Sequence, residues 1–340
     1  MSKPIYPKGI ISNEVRKQTI YSGVITGSSN DLLVLTRNID GLNQDSATSL
    51  RLDNIIKILR ETSADIICLQ EVVPSAHCRL SNELKNNYHM QSEDSIIGCH
   101  YYTVILIRKS TMHIVREASR DRYLMDGESS MGRDILSCVV RKRNNTVDIL
   151  ILTTHLESGT EPRAVNTRAN QYRQVLRRLV CLSDPNDYSS HARILCGDFN
   201  LREDEDSEVR NNLEDFGSSF YDAHTVTSSP HPYTWKRKYP FSKYPAQARF
   251  DRQIYSGSIF NCSYSLVGCE SIPEMNELLV KSCGYRTPSD HFGVLCRYQL
   301  LGIIQQVLSI SSSPLVPEDT YIGRPTKQIC LRPPEVVDLT

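Results

Sequence analysis

Acidic, amide and imidazole side chains recur at one kind of place in this 340-residue chain, at the ends of short apolar runs. VLTRNIDGL carries Asn38 and Asp40, IICLQEV carries Glu71, ILTTHLES carries His155, RILCGDFN carries Asp198 and Asn200, and RTPSDHFGVLC carries Asp290 and His291. In an extended chain residues i and i+2 point to one side, so Asn38 with Asp40, and Asp198 with Asn200, are expected to present paired polar heads. Each ending also has an ordinary reading: an Asp after a strand caps a helix, an Asn makes an Asx turn, a lone His is a surface or satisfied group. Their recurrence argues against independent caps. In α/β sheets the functional crevice lies at strand ends, and carboxylates gathered there repel one another and lose hydration unless a cation compensates. The available donors are oxygens, with no Cys/His cluster at zinc spacing, so the expected ion is hard: Mg²⁺, with Mn²⁺ as a substitute.

The elements that must position these groups read as α/β. From Leu32 onward short β-rich runs alternate with helical ones: LLVLT, the amphipathic SLRLDNIIKILRE, DIICLQ, then a polar helix or loop through Asn87. YYTVILIRK, LSCVVRK and DILILTT follow one another without a long helix between them, which predicts antiparallel or mixed sheet there. A helix from about Arg163 to Cys181 precedes RILCGDFN, and RQIYS, YSLVG and FGVLCRYQL close the ordered part near residue 300. Residues 1–30 and the Ser/Pro-rich stretch 301–340 read as flexible segments by composition, leaving 31–300 as one α/β unit.

Composition narrows the class. With 39% hydrophobic residues the chain can bury a large core, and no apolar stretch approaches the ~20 residues of a membrane span. A soluble, intracellular protein is expected. Eleven cysteines, an odd number with Cys68, Cys138, Cys196 and Cys296 inside apolar runs, read as small buried hydrophobes rather than a disulfide framework. Formal net charge is zero, so nucleic-acid contact must use local patches. Two candidates are Arg163, Arg168, Arg173, Arg177 and Arg178 along one helical stretch, and Lys236, Arg237, Lys238, Lys243, Arg249 and Arg252 in another segment. The acidic run Glu203 to Glu208 reads as a solvated loop rather than a metal site.

Taken in order, NIDGL, LQEV, THLES, GDFN, RFDR and SDHFG resemble the motifs of the endonuclease/exonuclease/phosphatase superfamily, over residues 32 to 299. Within it, THLES followed by RANQ, GDFNLRE, YTW, RFDRQIY and PSDHFGVLC most resemble the branch that hydrolyses 5′-tyrosyl-DNA bonds. The resemblance implies a DNase I-like fold, a four-layer α/β sandwich of two central mixed β-sheets flanked by helices, with 31–300 as the catalytic domain. It implies Glu71 and Asp290 as metal ligands, with Asp40 linked through a metal-bound water. It gives Asp198 the attacking water, with Asn200 beside it and two other carboxylates and a cation nearby expected to keep it ionised. Asn38, His155 and His291 donate to the phosphoryl oxygens, and Asp251 orients His291. Ser158, Arg163 and Arg202 are implied as contacts to neighbouring DNA phosphates, and Trp235 and Phe250 as stacking surfaces for terminal bases. An Arg202 bound to the acidic run, or a core Trp235, is the ordinary alternative. Arg37 departs from the branch, which carries Trp there, and leaves the packing at that position open.

The implied activity is Mg²⁺-dependent hydrolysis of the bond between a topoisomerase tyrosine and a 5′ DNA phosphate, leaving a 5′-phosphate for double-strand-break repair. The expected partners are such a DNA end and its topoisomerase-derived peptide, met by a monomer in the nucleus, with a cytoplasmic share as an alternative. A phenol leaves readily, its pKa of about 10 lying far below that of an aliphatic alcohol. The terminal PPEVVDLT resembles a SUMO-interacting motif, with Val336, Val337 and Leu339 about Asp338. Competing readings are an abasic-site endonuclease, an RNA deadenylase, and a non-catalytic SUMO-binding adaptor.

Overall fold

The computed structural model describes residues 31–92, 100–123, 128–180, 192–211, 220–230, 233–237 and 246–300. The flexible segments expected at 1–30 and 301–340, and the SUMO-like Val336, Val337 and Leu339, lie outside the described residues. One mixed sheet runs, in spatial order, β13 (Ile259–Val267), β14 (Gly293–Leu300), β1 (Asp31–Asn38), β2 (Ile66–Val72), β4 (Tyr102–Arg108) and β3 (Tyr88–Gln91). The other runs β5 (Met112–Arg122), β6 (Asp134–Lys142), β7 (Asp148–His155), β8 (Ala192–Asp198), β12 (Asp251–Gly257) and β9 (Tyr221–Asp222). A hairpin of β10 (Trp235–Arg237) and β11 (Ala246–Ala248) stands apart.

Why these runs make a sandwich is visible in their parity. On β1, Leu32 and Val34 face the core between the sheets, where they join Ile66 and Cys68 of β2, Ile149 and Ile151 of β7, and Ile194 and Cys196 of β8. The alternate residues Leu35, Ile67 and Leu69 pack outward under α1 (Thr48–Thr62) and α2 (Pro74–Leu84). Leu150, Leu152 and Leu195 pack outward under α3 (Pro162–Val180) and α4 (Glu203–Asn211). Strands buried on both faces must be apolar at every position, hence the near-continuous hydrophobic runs. Helix, sheet, sheet, helix is the expected four-layer order. Among the described residues two further helices occur: α5 (Ala223–Thr227) packs beside β12 and β13, and α6 (Glu277–Cys283) shares a small apolar cluster with the start of α1. Cys68, Cys138, Cys196 and Cys296 sit in the intersheet core as free thiols. Among the described residues no helix is long and apolar enough to cross a membrane.

Each sheet contains one parallel pair, β1–β2 and β7–β8, among antiparallel neighbours. Parallel neighbours need a crossover, supplied by α1 in one sheet and α3 in the other. The consequence is functional: the carboxyl ends of four strands meet on one rim, carrying Asn38, Glu71, His155 and Asp198. Two glycines permit the approach. A Cβ on Gly197, at φ 147°, would stand 1.9 Å from the Thr154 carbonyl oxygen, and one on Gly41 would stand 2.1 Å from that of Glu71.

Two charge readings are corrected here. The acidic run is not a solvated loop; it forms α4, which begins at Glu203, and its carboxylates neutralise buried guanidiniums. Arg168 donates to Glu205 at 2.8 and 3.0 Å, Arg252 to Asp206 at 2.9 Å, and Arg249 to Glu203 at 2.8 Å and Asp222 at 2.8 Å. Tyr172 adds a hydroxyl to Asp206 at 2.7 Å. Arg168, Arg249 and Arg252 therefore leave the proposed basic patches, being 0%, 7% and 1% exposed. Their two segments read as local basic patches for nucleic acid because sequence alone does not show which Arg meets which carboxylate across a tertiary contact. Acidic residues in a first helical turn also match the helix dipole.

Arg37 is likewise fully buried, with its Nη1 donating to the Val267 carbonyl at 3.1 Å. Burial lowers its pKa to about 10. Glycines make the room: a Cβ on Gly268 would lie 2.3 Å from that Nη1.

Removing one partner of a buried ion pair strands the other. Arg252→Met, leaving Asp206 short of its cation, is expected to destabilise the fold by roughly 3–5 kcal/mol in denaturant unfolding.

Candidate active site

The left-handed backbone of three residues marks the rim. Asp40 (φ 50°), Glu71 (φ 56°) and Asn200 (φ 51°) adopt a conformation that costs a non-glycine residue about 1–3 kcal/mol. The other non-glycine residues in this region among those described, Ser63 and Ser228, are helix C-caps. Glu71 sits where the β2–β4 register shifts between Leu69 and Val72. The extended i/i+2 pairing expected for Asn38/Asp40 and Asp198/Asn200 is thus not what occurs. Instead each pair closes the same small turn: Asp40 N–H donates to Asn38 Oδ1 at 2.9 Å, and Asn200 N–H donates to Asp198 Oδ1 at 3.0 Å. The Asx turn, the ordinary reading of such endings, is here the device that aims the functional atoms.

Those turns decide which atoms face the crevice. With its Oδ1 committed to Asp40, Asn38 turns its Nδ2 to Glu71 Oε1 at 3.1 Å and Asp198 Oδ2 at 3.0 Å. Asn200 spends its Nδ2 on the Leu156 carbonyl at 3.1 Å. Ser289 ties in the closing strand, donating to the Asn38 carbonyl at 2.9 Å and accepting the His291 N–H at 3.1 Å. Below, Gln70 spans the sheets, donating to Thr36 Oγ1 and Thr153 Oγ1, each at 3.1 Å.

Two imidazoles flank Asp198 Oδ2, His155 Nε2 at 3.4 Å and His291 Nε2 at 3.6 Å, and their surroundings favour the neutral form of one and the charged form of the other. Burial disfavours a charged His155, and Arg133, with Nη1 2.6 Å from His155 Nδ1, adds to it; the pKa falls well below the ordinary value. Arg133 can only donate, so Nδ1 must accept and Nε2 carries the proton toward the site. Burial also works against a charged His291, but Asp251, at 2.8 Å from Nδ1, together with Asp198 and Asp290, outweighs it and raises the pKa well above the ordinary value. Asp198, 1% exposed, is raised by burial, with His291 the main opposing influence. The protein's own groups thus do not by themselves give Asp198 the ordinary acidity expected of it.

The carboxylates show the strain of being gathered. Burial pushes Glu71 up to about 7, with Asp40 and Asp198 contributing. Burial and then the charge of Asp290 raise Asp40, against the Tyr285 hydroxyl and Arg51. Asp198, Asp251 and His291 bring ligand atoms within 4.8 Å of one another. His291 is engaged with Asp251 there, which makes the trio a proton-handling group. Glu71 and Asp290 lie outside that trio: Glu71 Oε1 faces the Asn38 amide, and Asp290 Oδ2 accepts the Trp235 indole N–H at 2.9 Å. Glu71, Asp290 and Asp40 offer an all-oxygen donor set, and a hard divalent cation would relieve the raised proton affinities of Glu71 and Asp40, so the residues fit such an ion.

The residues read as DNA contacts are distributed as follows. Trp235 and Phe250 are half-buried and tilted together, ring centroids 5.3 Å apart. Trp235 pairs with His291 across an isolated bridge. Arg202 contacts Glu205 at 3.3 Å, its ordinary alternative, and keeps 41% side-chain exposure. Ser158 Oγ lies 3.3 Å from Met131 Sδ, and Arg163 is exposed at the start of α3. Residues that sequence reading missed are Arg133, Ser289, Tyr285 and Arg51. Ser289 lay inside a quoted motif; the others are joined to the site only by tertiary contacts.

A family model described as the endonuclease/exonuclease/phosphatase family matches residues 35–291. The chain is 28% identical over 281 residues to human tyrosyl-DNA phosphodiesterase 2, covering 79% of this chain and 68% of the relative. It is 25% identical over 267 residues to a Caenorhabditis elegans 5′-tyrosyl-DNA phosphodiesterase, covering 78% and 66%. With the Xenopus laevis tyrosyl-DNA phosphodiesterase 2 it shares 26% identity over 278 residues, and it spans about two thirds of the length of these curated relatives. A crystal structure of D. rerio TDP2 complexed with single strand DNA product shares the fold at a TM-score of 0.63 and 24% identity, over 79% of this chain and 98% of that one.

Because Glu71 in the metal-free fold titrates near 7 rather than 4.5, its ionisation weakens the fold as pH rises through that interval, and the loss is complete above it. Glu71→Gln is expected to raise the metal-free protein's stability at pH 8 by about 1–3 kcal/mol. The gain is expected to shrink below pH 5, and added Mg²⁺ is expected to raise the Tm of the parent but not that of the variant.

Proposed function

This chain belongs to the endonuclease/exonuclease/phosphatase family, and from that premise we propose that it is a Mg²⁺-dependent phosphodiesterase that hydrolyses 5′-phosphotyrosyl bonds at DNA ends. The observation that carries the reading is Asp198 held between a neutral and a charged imidazole, beside Asn38 and three further carboxylates. Several of the relatives that this chain matches are tyrosyl-DNA phosphodiesterases by name, which supports the choice of substrate.

Glu71 and Asp290 would hold the cation, with Asp40 nearby; bound there, it neutralises phosphoryl charge and lowers the proton affinity of the surrounding carboxylates. Asp198 then orients a water and takes its proton as the water oxygen bonds to phosphorus. Its neighbours hold it with one carboxylate oxygen in the Asn200 turn and the other toward the crevice. The Asn38 amide, His155 Nε2–H and the His291 imidazolium donate to the phosphoryl oxygens as charge builds on them. The phosphorus–phenol bond breaks, releasing tyrosine or its peptide and a 5′-phosphate. A phenolate with a pKa of about 10 leaves without a strong acid. Trp235 and Phe250 would receive the terminal base, and Arg202, Ser158 and Arg163 the following phosphates. The biological setting we infer is repair of topoisomerase-linked breaks in the nucleus.

Release of tyrosine from a 5′-tyrosyl oligonucleotide, compared with incision of an abasic duplex and shortening of an RNA tail, tests this reading. Tyrosine release, abolished by a chelator and restored by Mg²⁺ or Mn²⁺, is expected; incision without tyrosine release would overturn it. Asp198→Asn should lower turnover about 10²–10⁴-fold while leaving oligonucleotide binding intact. Asp251→Asn removes the charge that raises the His291 pKa, so the alkaline limb of kcat/KM should move to lower pH; an unmoved limb would remove Asp251 from that role.

A further inference from the structure

Asp40 differs from the other carboxylates of the rim in how it is held. Three donors converge on its Oδ2: the Tyr285 hydroxyl, Arg51 Nη1 at 3.3 Å and Asn43 Nδ2 at 3.2 Å. Among the described residues its Oδ1 accepts no hydrogen bond. Arg51, 2% exposed, is fixed in turn by the Asn43 carbonyl at 2.5 Å and by Asp45 at 3.6 Å, with its guanidinium 5.5 Å above the Tyr285 ring. Neither Tyr285 nor Arg51 belongs to a strand-end motif.

Tyr285 reaches Asp40 from a small core separate from the two sheets. Its ring packs with Ala47, Ile272, Met275 and Cys283, a cluster that joins the start of α1 to α6 and its flanking loops. The chain is bent into this place by Gly284, at φ 90° after α6, and by the Ile272 N–H donating to the Arg286 carbonyl at 2.8 Å. Arg51 lies one residue beyond Leu50, which packs on the same cluster. One apolar cluster therefore places both donors, and both aim at one oxygen of one carboxylate.

We propose that Tyr285 and Arg51 are positioning residues for Asp40: by fixing Oδ2 on the side of the α6 cluster they reserve Oδ1 for the cation. The inference rests on the metal-dependent reading above. A left-handed Asp40 has no strand on either side to hold its side chain, so its orientation depends on these hydrogen bonds. Charge-assisted bonds to a carboxylate are the stronger kind. Partners that orient a metal-binding side chain typically govern about 10–100-fold in metal affinity or activity.

Mn²⁺ binding to the full, metal-free chain, measured by calorimetric titration, tests the assignment in Tyr285→Phe and in Met275→Ala. Tyr285→Phe, which removes one hydroxyl, should weaken Mn²⁺ binding about 10-fold or more. Met275→Ala, which opens a cavity in the same cluster without touching Asp40, should lower the Tm while holding Mn²⁺ affinity within about 2-fold of the parent. Unchanged Mn²⁺ affinity in Tyr285→Phe would overturn the proposal. Equal losses in both variants would also overturn it, because the cluster would then act only through stability. No Mn²⁺ uptake by the parent would sink the metal reading and this assignment together. Normal uptake without tyrosine release would sink only the proposed substrate and, with the expected variant pattern, leave Tyr285 in its role.

Discussion

The burial of several carboxylates at one rim is the constraint on which the rest of the molecule turns. Glu71, Asp40 and Asp198 all hold their protons more tightly than isolated carboxyls do, chiefly because burial strips their hydration and partly because other carboxylates face them, Asp40 and Asp198 at Glu71, Asp290 at Asp40 and Asp251 at Asp198. A fold has no stability reason to build such a place, and this one devotes its most exacting backbone to it. Three left-handed residues and two glycines in contact with carbonyl oxygens all lie at the same rim. Strain and unfavourable charge concentrated at one spot mark a functional site.

The sandwich makes that concentration possible. One parallel pair in each sheet brings four carboxyl-terminal strand ends to a single edge, and the crossovers that parallel pairing demands leave the rim open. Around it, the ionic network of Arg168, Arg249 and Arg252 with Glu203, Glu205, Asp206 and Asp222 anchors α4, directly after the Asp198–Asn200 turn, to α3, β9 and β12. The hairpin strand β10 is tied to the segment carrying Asp290 and His291 by the Lys236 N–H on the Asp290 carbonyl and the Phe292 N–H on the Thr234 carbonyl. The surfaces proposed for nucleic acid and for chemistry are therefore braced by the same hydrogen bonds.

Much of this was legible in the sequence because burial on both faces leaves a plain trace: LLVLT, IICLQ, DILILTT and RILCGD can hardly be anything but interior strands. The polar residues ending them were legible for the complementary reason, since their recurrence where the apolar run says core exceeds what independent caps explain. What sequence could not supply is pairing across distance. Arg168 and Arg249 looked like phosphate contacts until their carboxylates were known, and EDEDSE looked solvated until its buried partners were known. Arg133 and Tyr285 carry no motif, and their importance lies wholly in the atoms they meet, His155 Nδ1 and Asp40 Oδ2. Local backbone was the other blind spot: i/i+2 geometry assumed extended chain, whereas Asp40 and Asn200 turn left-handed.

The central claim is that these carboxylates are gathered for one shared cation. Anomalous diffraction from a Mn²⁺-soaked crystal tests it most directly. One ion within about 2.0–2.6 Å of oxygens from both Glu71 and Asp290 is the predicted result. An ion bound elsewhere on the protein, with Glu71 and Asp290 left without one between them, would contradict it.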